Sequence, residues 1–186
     1  MHKELSERMT RAIDDDVFPG AVVGVVRTSG ERIVMPIGKL TYDASPSVDH
    51  DTVYDLASIT KSIPTASLAL HYIDQGQLRL EDKLIDFIPD FRSRWREEVE
   101  IRHLLTYTMG GYALAAYKDK TPEELFDVIM TKDTSIRPGG EFSYSNLPAF
   151  LLGLVVERIG RQPLDELAEA IFFGPLGMER TTFFPI

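Results

Sequence analysis

The sequence contains no cysteine. That excludes disulfides, thiol chemistry and cysteine-ligated metals, and leaves the redox compartment unmarked by cysteine usage. Basic residues are scarce: 20 Lys and Arg stand against 29 Asp and Glu, a formal net charge of −9. No Lys/Arg cluster offsets this balance, so a phosphate-backbone partner is disfavoured and no nucleic-acid role is expected. Long apolar runs are missing as well, so no membrane span is predicted. Residues Met1 to Met9 lack an apolar segment before a small-residue cleavage site, which reads as a cytoplasmic chain. Among the four histidines, His71 and Asp74 lie three apart with no third ligand, the pattern of a surface pair, and no metal or other cofactor is expected. There is no phosphate-binding loop, no dinucleotide fingerprint and no G-x-S-x-G nucleophile elbow.

What is present is a globular composition, 44% hydrophobic over 186 residues, enough for one domain or two closely packed lobes. The chain is organised around Ala57-Ser58-Ile59-Thr60-Lys61. A serine hydroxyl is a poor nucleophile at neutral pH and needs an adjacent base, a role that lysine can fill. Ser58 and Lys61 are three apart, so a helix starting near Ser58 would set the amine beside the hydroxyl. Such a helix start would also favour developing negative charge at the serine. The tetrad alone is weak, since about one S-x-x-K arises by chance in a chain of this composition.

Upstream, Leu5, Met9, Ala12 and Ile13 recur at helical spacing and predict an amphipathic helix from Lys3 to Asp15. Ala21 to Val26 and Arg32 to Ile37 read as a hairpin about the turn Thr28-Ser29-Gly30-Glu31, with Pro36 marking an edge or bulge, and Gly38 to Asp51 reads as a loop. Downstream, Ala66, Ala69, Leu70 and Ile73 predict a helix ending near Gln75 before Gly76. Pro64 either bends that helix or sits in the first turn of a fresh one. Asp82 is a candidate cap for a short helix burying Leu84 and Ile88, Arg92 to Arg102 a solvated stretch around Trp95, and Ile101 to Thr106 a short apolar helix with His103 as a hydrogen-bonded core residue. Thr121-Pro122-Glu123-Glu124 is a capping box, Asn146 a candidate cap for an apolar helix stopping at Gly160, and Pro163 the start of a last helix ending near Gly174. After Ile37 no strand of comparable quality follows. The hairpin must be covered by helices or by strands outside these residues.

The second constellation is Glu141-Phe142-Ser143-Tyr144-Ser145-Asn146 after the Pro138-Gly139-Gly140 turn. A tyrosine and an asparagine on a tight turn can aim a phenol and an amide into one site, the phenol relaying protons when cations lower its pKa.

Together, Ala57 to Lys61, Gly76-Gln77-Leu78, Ile101 to Thr106, Pro138 to Gly140 with Phe142 to Asn146, and Pro175-Leu176-Gly177-Met178 resemble the serine β-lactamase-related family of class C β-lactamases, D-Ala-D-Ala peptidases and β-lactamase-like esterases. The resemblance covers Phe18 to Phe184. It implies an α+β fold in which an α/β-type lobe stands beside a helical lobe, divided here as 3–56 (helix and hairpin) and 57–184 (nucleophile helix and helical lobe) of one domain. It implies Ser58 as acylated nucleophile, Lys61 as its activating partner, Tyr144 as proton relay and Asn146 as the substrate- and lysine-orienting amide. The implied partner is a small acyl substrate: an ester, amide or β-lactam. Two departures stand out. Tyr107-Thr108-Met109-Gly110 replaces the family's frequent His-Thr-Ser-Gly, read as a change in packing, and the Lys-Thr-Gly or His-x-Gly motif of a late strand has no counterpart in these residues. That strand carries the second oxyanion-hole N–H. The expectation is therefore the N-terminal part of a serine hydrolase that needs a C-terminal half for full activity, or that self-associates through an exposed sheet edge. The alternative is a fragment of the same family that only binds.

Overall fold

A computed structural model describes residues 2–43, 45–134 and 136–184, in two compact units meeting in sequence at Asp55 and Leu56. The first unit begins with α1 (His2–Asp14). Its predicted apolar stripe, Leu5, Met9, Ala12 and Ile13, is the half-buried face, while Lys3 and Glu7, and Arg8 and Glu4, pair at the surface. Strands β1 (Gly20–Val26) and β2 (Arg32–Gly38) form the antiparallel hairpin, with Val22 opposite Pro36 and Gly24 opposite Val34. The turn closes through Arg27 and Glu31, whose backbones bond at 2.9 Å and whose side chains pair at 2.7 Å. Helix α1 packs on β2, and a groove of about 260 Å³ between them is lined by Met9, Val23, Met35 and Ile37.

In the second unit Ser58 lies on a 3₁₀ turn, Ala57–Lys61, rather than on an α-helix. The chain then breaks: Ile63 has an extended backbone (φ −122°, ψ 108°), as the residue before a proline prefers, and the Ile63–Pro64 peptide is cis. A wide π-type turn (Ser62–Ala66) leads into α2 (Ser67–Asp74). Of the two readings of Pro64, the fresh start holds. Two side-chain bonds knit the turn, Thr65 Oγ1 to the Thr60 carbonyl and Ser67 Oγ to the Ser62 carbonyl, both at 2.9 Å.

Short helices α3 (Leu84–Phe87) and α4 (Ile101–Leu105) precede α5 (Pro122–Thr131), which carries the predicted capping box: Thr121 Oγ1 accepts from the Glu124 N–H, and the Glu124 carboxylate accepts from the Thr121 N–H. Asp82 does not cap α3 with its side chain; its carboxylate accepts the Arg79 N–H at 2.8 Å instead. Helix α6 (Leu147–Gly160) runs through the core and packs on α4, α2 and α7 (Leu164–Ala168), which continues as a π-type turn to Phe173. Its last residue, Gly160, touches Tyr72 and Leu167, and the left-handed cap falls on Arg161 (φ +56°). Leu68, Leu84, Phe91, Ile101, Leu147, Leu151 and Val155 are fully buried there. By contrast, Val48 is the one buried hydrophobic side chain among the described residues of the first unit.

Among the described residues no helix is long and apolar enough to cross a membrane, and no three His, Asp or Glu side chains cluster as a metal site would require.

Candidate active site

The 3₁₀ turn that holds Ser58 is entered through a left-handed residue, Ala57, with φ +43°. Such a conformation is costly for a residue with a Cβ and is characteristic of strained functional turns. The Ile59 N–H donates to the Leu56 carbonyl at 2.9 Å and the Ser62 N–H to the Ile59 carbonyl, closing the turn on both sides. Three residues per turn place Ser58 and Lys61 directly above one another. Lys61 Nζ accordingly donates to Ser58 Oγ at 2.7 Å. The predicted juxtaposition is present, produced by a 3₁₀ register instead of an α-helical one.

Tyr144 comes from a loop more than eighty residues downstream and reaches the same two side chains. Lys61 Nζ lies 5.4 Å from its ring centroid. Hydrogen bonds first to Ser58 and then to Lys61, with the ammonium's charge adding to them, hold its phenol below the ordinary value of 10.0. The ring is 58% exposed, so this lowering comes from its partners and not from burial.

The loop is positioned by backbone bonds to the segment after α4. The Gly139 N–H donates to the Thr108 carbonyl and the Ser143 N–H to the Tyr107 carbonyl, each at 2.9 Å. Below Tyr144, Ser145 packs directly on Gly111, where any Cβ would collide with it, and Ser145 Oγ is buried without a hydrogen-bond partner among the described residues. Asn146 stands at the N-cap position of α6, but its side chain makes no capping bond and its backbone is already right-handed helical (φ −78°, ψ −22°). The sequence reading of Asn146 as a cap is corrected on this point: an N-cap normally sits in the β region so that its side chain can fold back on the first turn. The amide is exposed and on the same loop as Tyr144.

Ser58, Lys61 and Tyr144 are thus brought together, with Asn146 two residues from Tyr144. Sequence reasoning missed Tyr107. Its ring stacks on Tyr144 with centroids 5.4 Å apart and planes 20° from parallel, and its φ is +57°. The signal available was its departure from the family's usual histidine, which gave no direction for the ring. A groove of about 510 Å³ in the same unit, lined by Phe87, Phe126, Met130, Leu154, Glu157 and Arg158 among others, shares no residue with the Ser58 site. Its lining contains no serine, threonine, tyrosine or lysine.

Known proteins share the family and the fold of this chain. A protein of Escherichia coli (strain K12), named provisionally as a D-alanyl-D-alanine carboxypeptidase, is 29% identical over 150 residues, covering 73% of this chain and 35% of its own length. The β-lactamase/D-alanine carboxypeptidase of Pseudomonas syringae superposes with a TM-score of 0.84 at 24% identity, covering 99% of this chain and 52% of that one. The octameric penicillin-binding protein homologue of Pyrococcus abyssi gives 0.83 at 26% identity, covering 98% and 44%. The chain spans 35 to 38% of the length of the curated relatives it matches. The fold is the β-lactamase/transpeptidase fold, represented among the described residues by its helices and a two-stranded sheet. The Beta-lactamase family matches residues 5–185, and the chain belongs to that family.

Proposed function

We propose that this chain carries the nucleophilic centre of a serine hydrolase that works through an acyl-enzyme. The observation that carries the reading is the 2.7 Å contact of Lys61 Nζ with Ser58 Oγ, beside a phenol whose pKa is lowered by those same two side chains. In this reading Ser58 Oγ attacks the acyl carbonyl carbon of an ester, amide or β-lactam as its proton passes to the Tyr144 phenolate, which the Lys61 ammonium stabilises. The Tyr144 phenol relays a proton to the leaving alkoxide or amine as the acyl–oxygen or acyl–nitrogen bond breaks. Water then adds to the ester at Ser58, the acid departs and the hydroxyl regains its proton. Asn146 orients the lysine and the substrate amide. The carboxypeptidase names among the relatives favour a peptide or amide over a simple ester.

One sequence observation favours a second reading, in which the chain binds without turning over: residues 1–186 contain no Lys-Thr-Gly or His-x-Gly. In the first reading the second oxyanion donor must come from chain beyond these residues. Lack of one such donor costs on the order of a hundred- to a thousandfold in rate, about 3–4 kcal/mol. Intact-mass measurement after exposure to a fluorophosphonate, and separately to a penicillin, distinguishes the two. The hydrolase reading expects one stoichiometric adduct that Ser58→Ala abolishes. A folded protein with no adduct overturns it and leaves the binding reading.

A further inference from the structure

Tyr107 is held in a conformation that bulky side chains avoid. Its φ of +57° is left-handed, and outliers of this kind persist where their surroundings over-determine them. Two sets of contacts fix it. Its carbonyl accepts the Ser143 N–H and the next carbonyl, of Thr108, accepts the Gly139 N–H, so this dipeptide clamps the loop that delivers Tyr144 at two points. Its ring lies almost parallel to that of Tyr144, 5.4 Å away, and Phe142 packs on it at 6.2 Å. Tyr144 itself is largely exposed, and an exposed side chain without packing partners exchanges rotamers freely.

We propose that Tyr107 is a positioning residue: its ring is the platform that keeps the Tyr144 phenol against Ser58 and Lys61, while its backbone anchors the loop. The proposal rests on the reading of Ser58, Lys61 and Tyr144 as the reacting groups. It is consistent with the charge balance of the pair. Burial first, and the neighbouring Tyr144 second, raise the Tyr107 phenol above 10.0, so it stays neutral beside the group whose ionisation is favoured.

Two substitutions separate ring from backbone. Tyr107→Gly removes the platform while accepting a positive φ at no steric cost and keeping both backbone groups. Tyr107→Phe keeps the platform. One readout is the titration of Tyr144 by near-ultraviolet difference absorbance, each variant referenced to its own Tyr144→Phe partner; the other is the rate of Ser58 modification by a fluorophosphonate. Tyr107→Gly is expected to return the Tyr144 midpoint toward its ordinary value of about 10 and to slow labelling roughly tenfold. Tyr107→Phe restores the parent's behaviour in both. If Tyr107→Gly fails to fold by circular dichroism, Tyr107→Asn, which also tolerates a left-handed backbone, serves the same comparison. An unmoved Tyr144 midpoint in the folded ring-less variant overturns the proposal. Absence of labelling in the parent, with the midpoint shift still present, instead sinks the hydrolase reading and leaves the platform standing.

Discussion

Glu100 and His103 cap one helix for each other. The Glu100 N–H donates to His103 Nδ1 at 3.0 Å, and the Glu100 carboxylate accepts the His103 N–H. Nδ1 can accept only when it carries no proton. Burial, opposed by the charge of Glu100 and reinforced by Arg102 and Lys83, holds the imidazole below 6.5. A histidine depressed in the folded state contributes stability that is fully present above the unfolded value of about 6.5 and is lost as pH falls through the folded one. The urea midpoint is therefore expected to drop as pH falls below about 6.5, and His103→Gln should flatten that drop. Glu100, lowered chiefly by its bond to Lys83, adds a loss in the same direction at pH below 4.5.

Asn146→Ala separates capping from chemistry. Loss of a working N-cap costs about 1 kcal/mol, but the Asn146 side chain makes no capping bond. Its removal is expected to change stability by less than about 0.5 kcal/mol while slowing acylation of Ser58. Thr121→Ala, which removes a bonded cap, is the control and should cost about 1 kcal/mol by urea denaturation.

Tyr144→Phe is expected to reduce Ser58 labelling by roughly a hundred- to ten-thousandfold. The pH profile is the sharper readout. With the Tyr144 pKa lowered by Ser58 and Lys61, labelling should climb as pH approaches that lowered value from below, and the climb should vanish in the variant. A parent profile retained in Tyr144→Phe would exclude the phenol as the titrating group.

Gly160→Ala tests how tightly α6 is seated. A methyl group there would meet the Tyr72 hydroxyl, and Leu167 Cδ2 and Cδ1 at 2.6 and 2.7 Å. Helix propensity favours alanine by about 1 kcal/mol, yet overpacking is expected to dominate and leave a net loss of about 1–3 kcal/mol in thermal or urea unfolding.

The features legible in the sequence were those written in local spacing. The Thr121–Glu124 box, the Leu5–Ile13 stripe and the hairpin about Gly30 each depend on residues within a turn or two of one another, and each is present. Pro64 announced a break, but a proline alone does not say whether a helix bends or restarts. Asn146 satisfied the cap pattern and failed as a cap, because its backbone conformation is set by the loop that carries Tyr144. Gly160 had the composition of a terminator, but its contacts with Tyr72 and Leu167 kept it inside the helix and moved the left-handed residue to Arg161. The Ser58–Lys61 pair was readable from a three-residue interval. The Tyr107–Tyr144 stack was not, since it joins rings 37 positions apart through a backbone conformation that no propensity scale favours for tyrosine.

The 3₁₀ turn at Ala57–Lys61 divides the site into parts that form over very different distances in sequence. The serine and its lysine are neighbours by virtue of one turn of backbone, while the phenol arrives only when a segment some eighty residues away has been folded onto the clamp at Tyr107 and Thr108. Under the proposed mechanism, substitutions along residues 137–146 would therefore retune proton transfer without disturbing the Ser58–Lys61 geometry. A reagent that records the reactivity of Ser58 becomes, in the same stroke, a clock for the arrival of the distant loop.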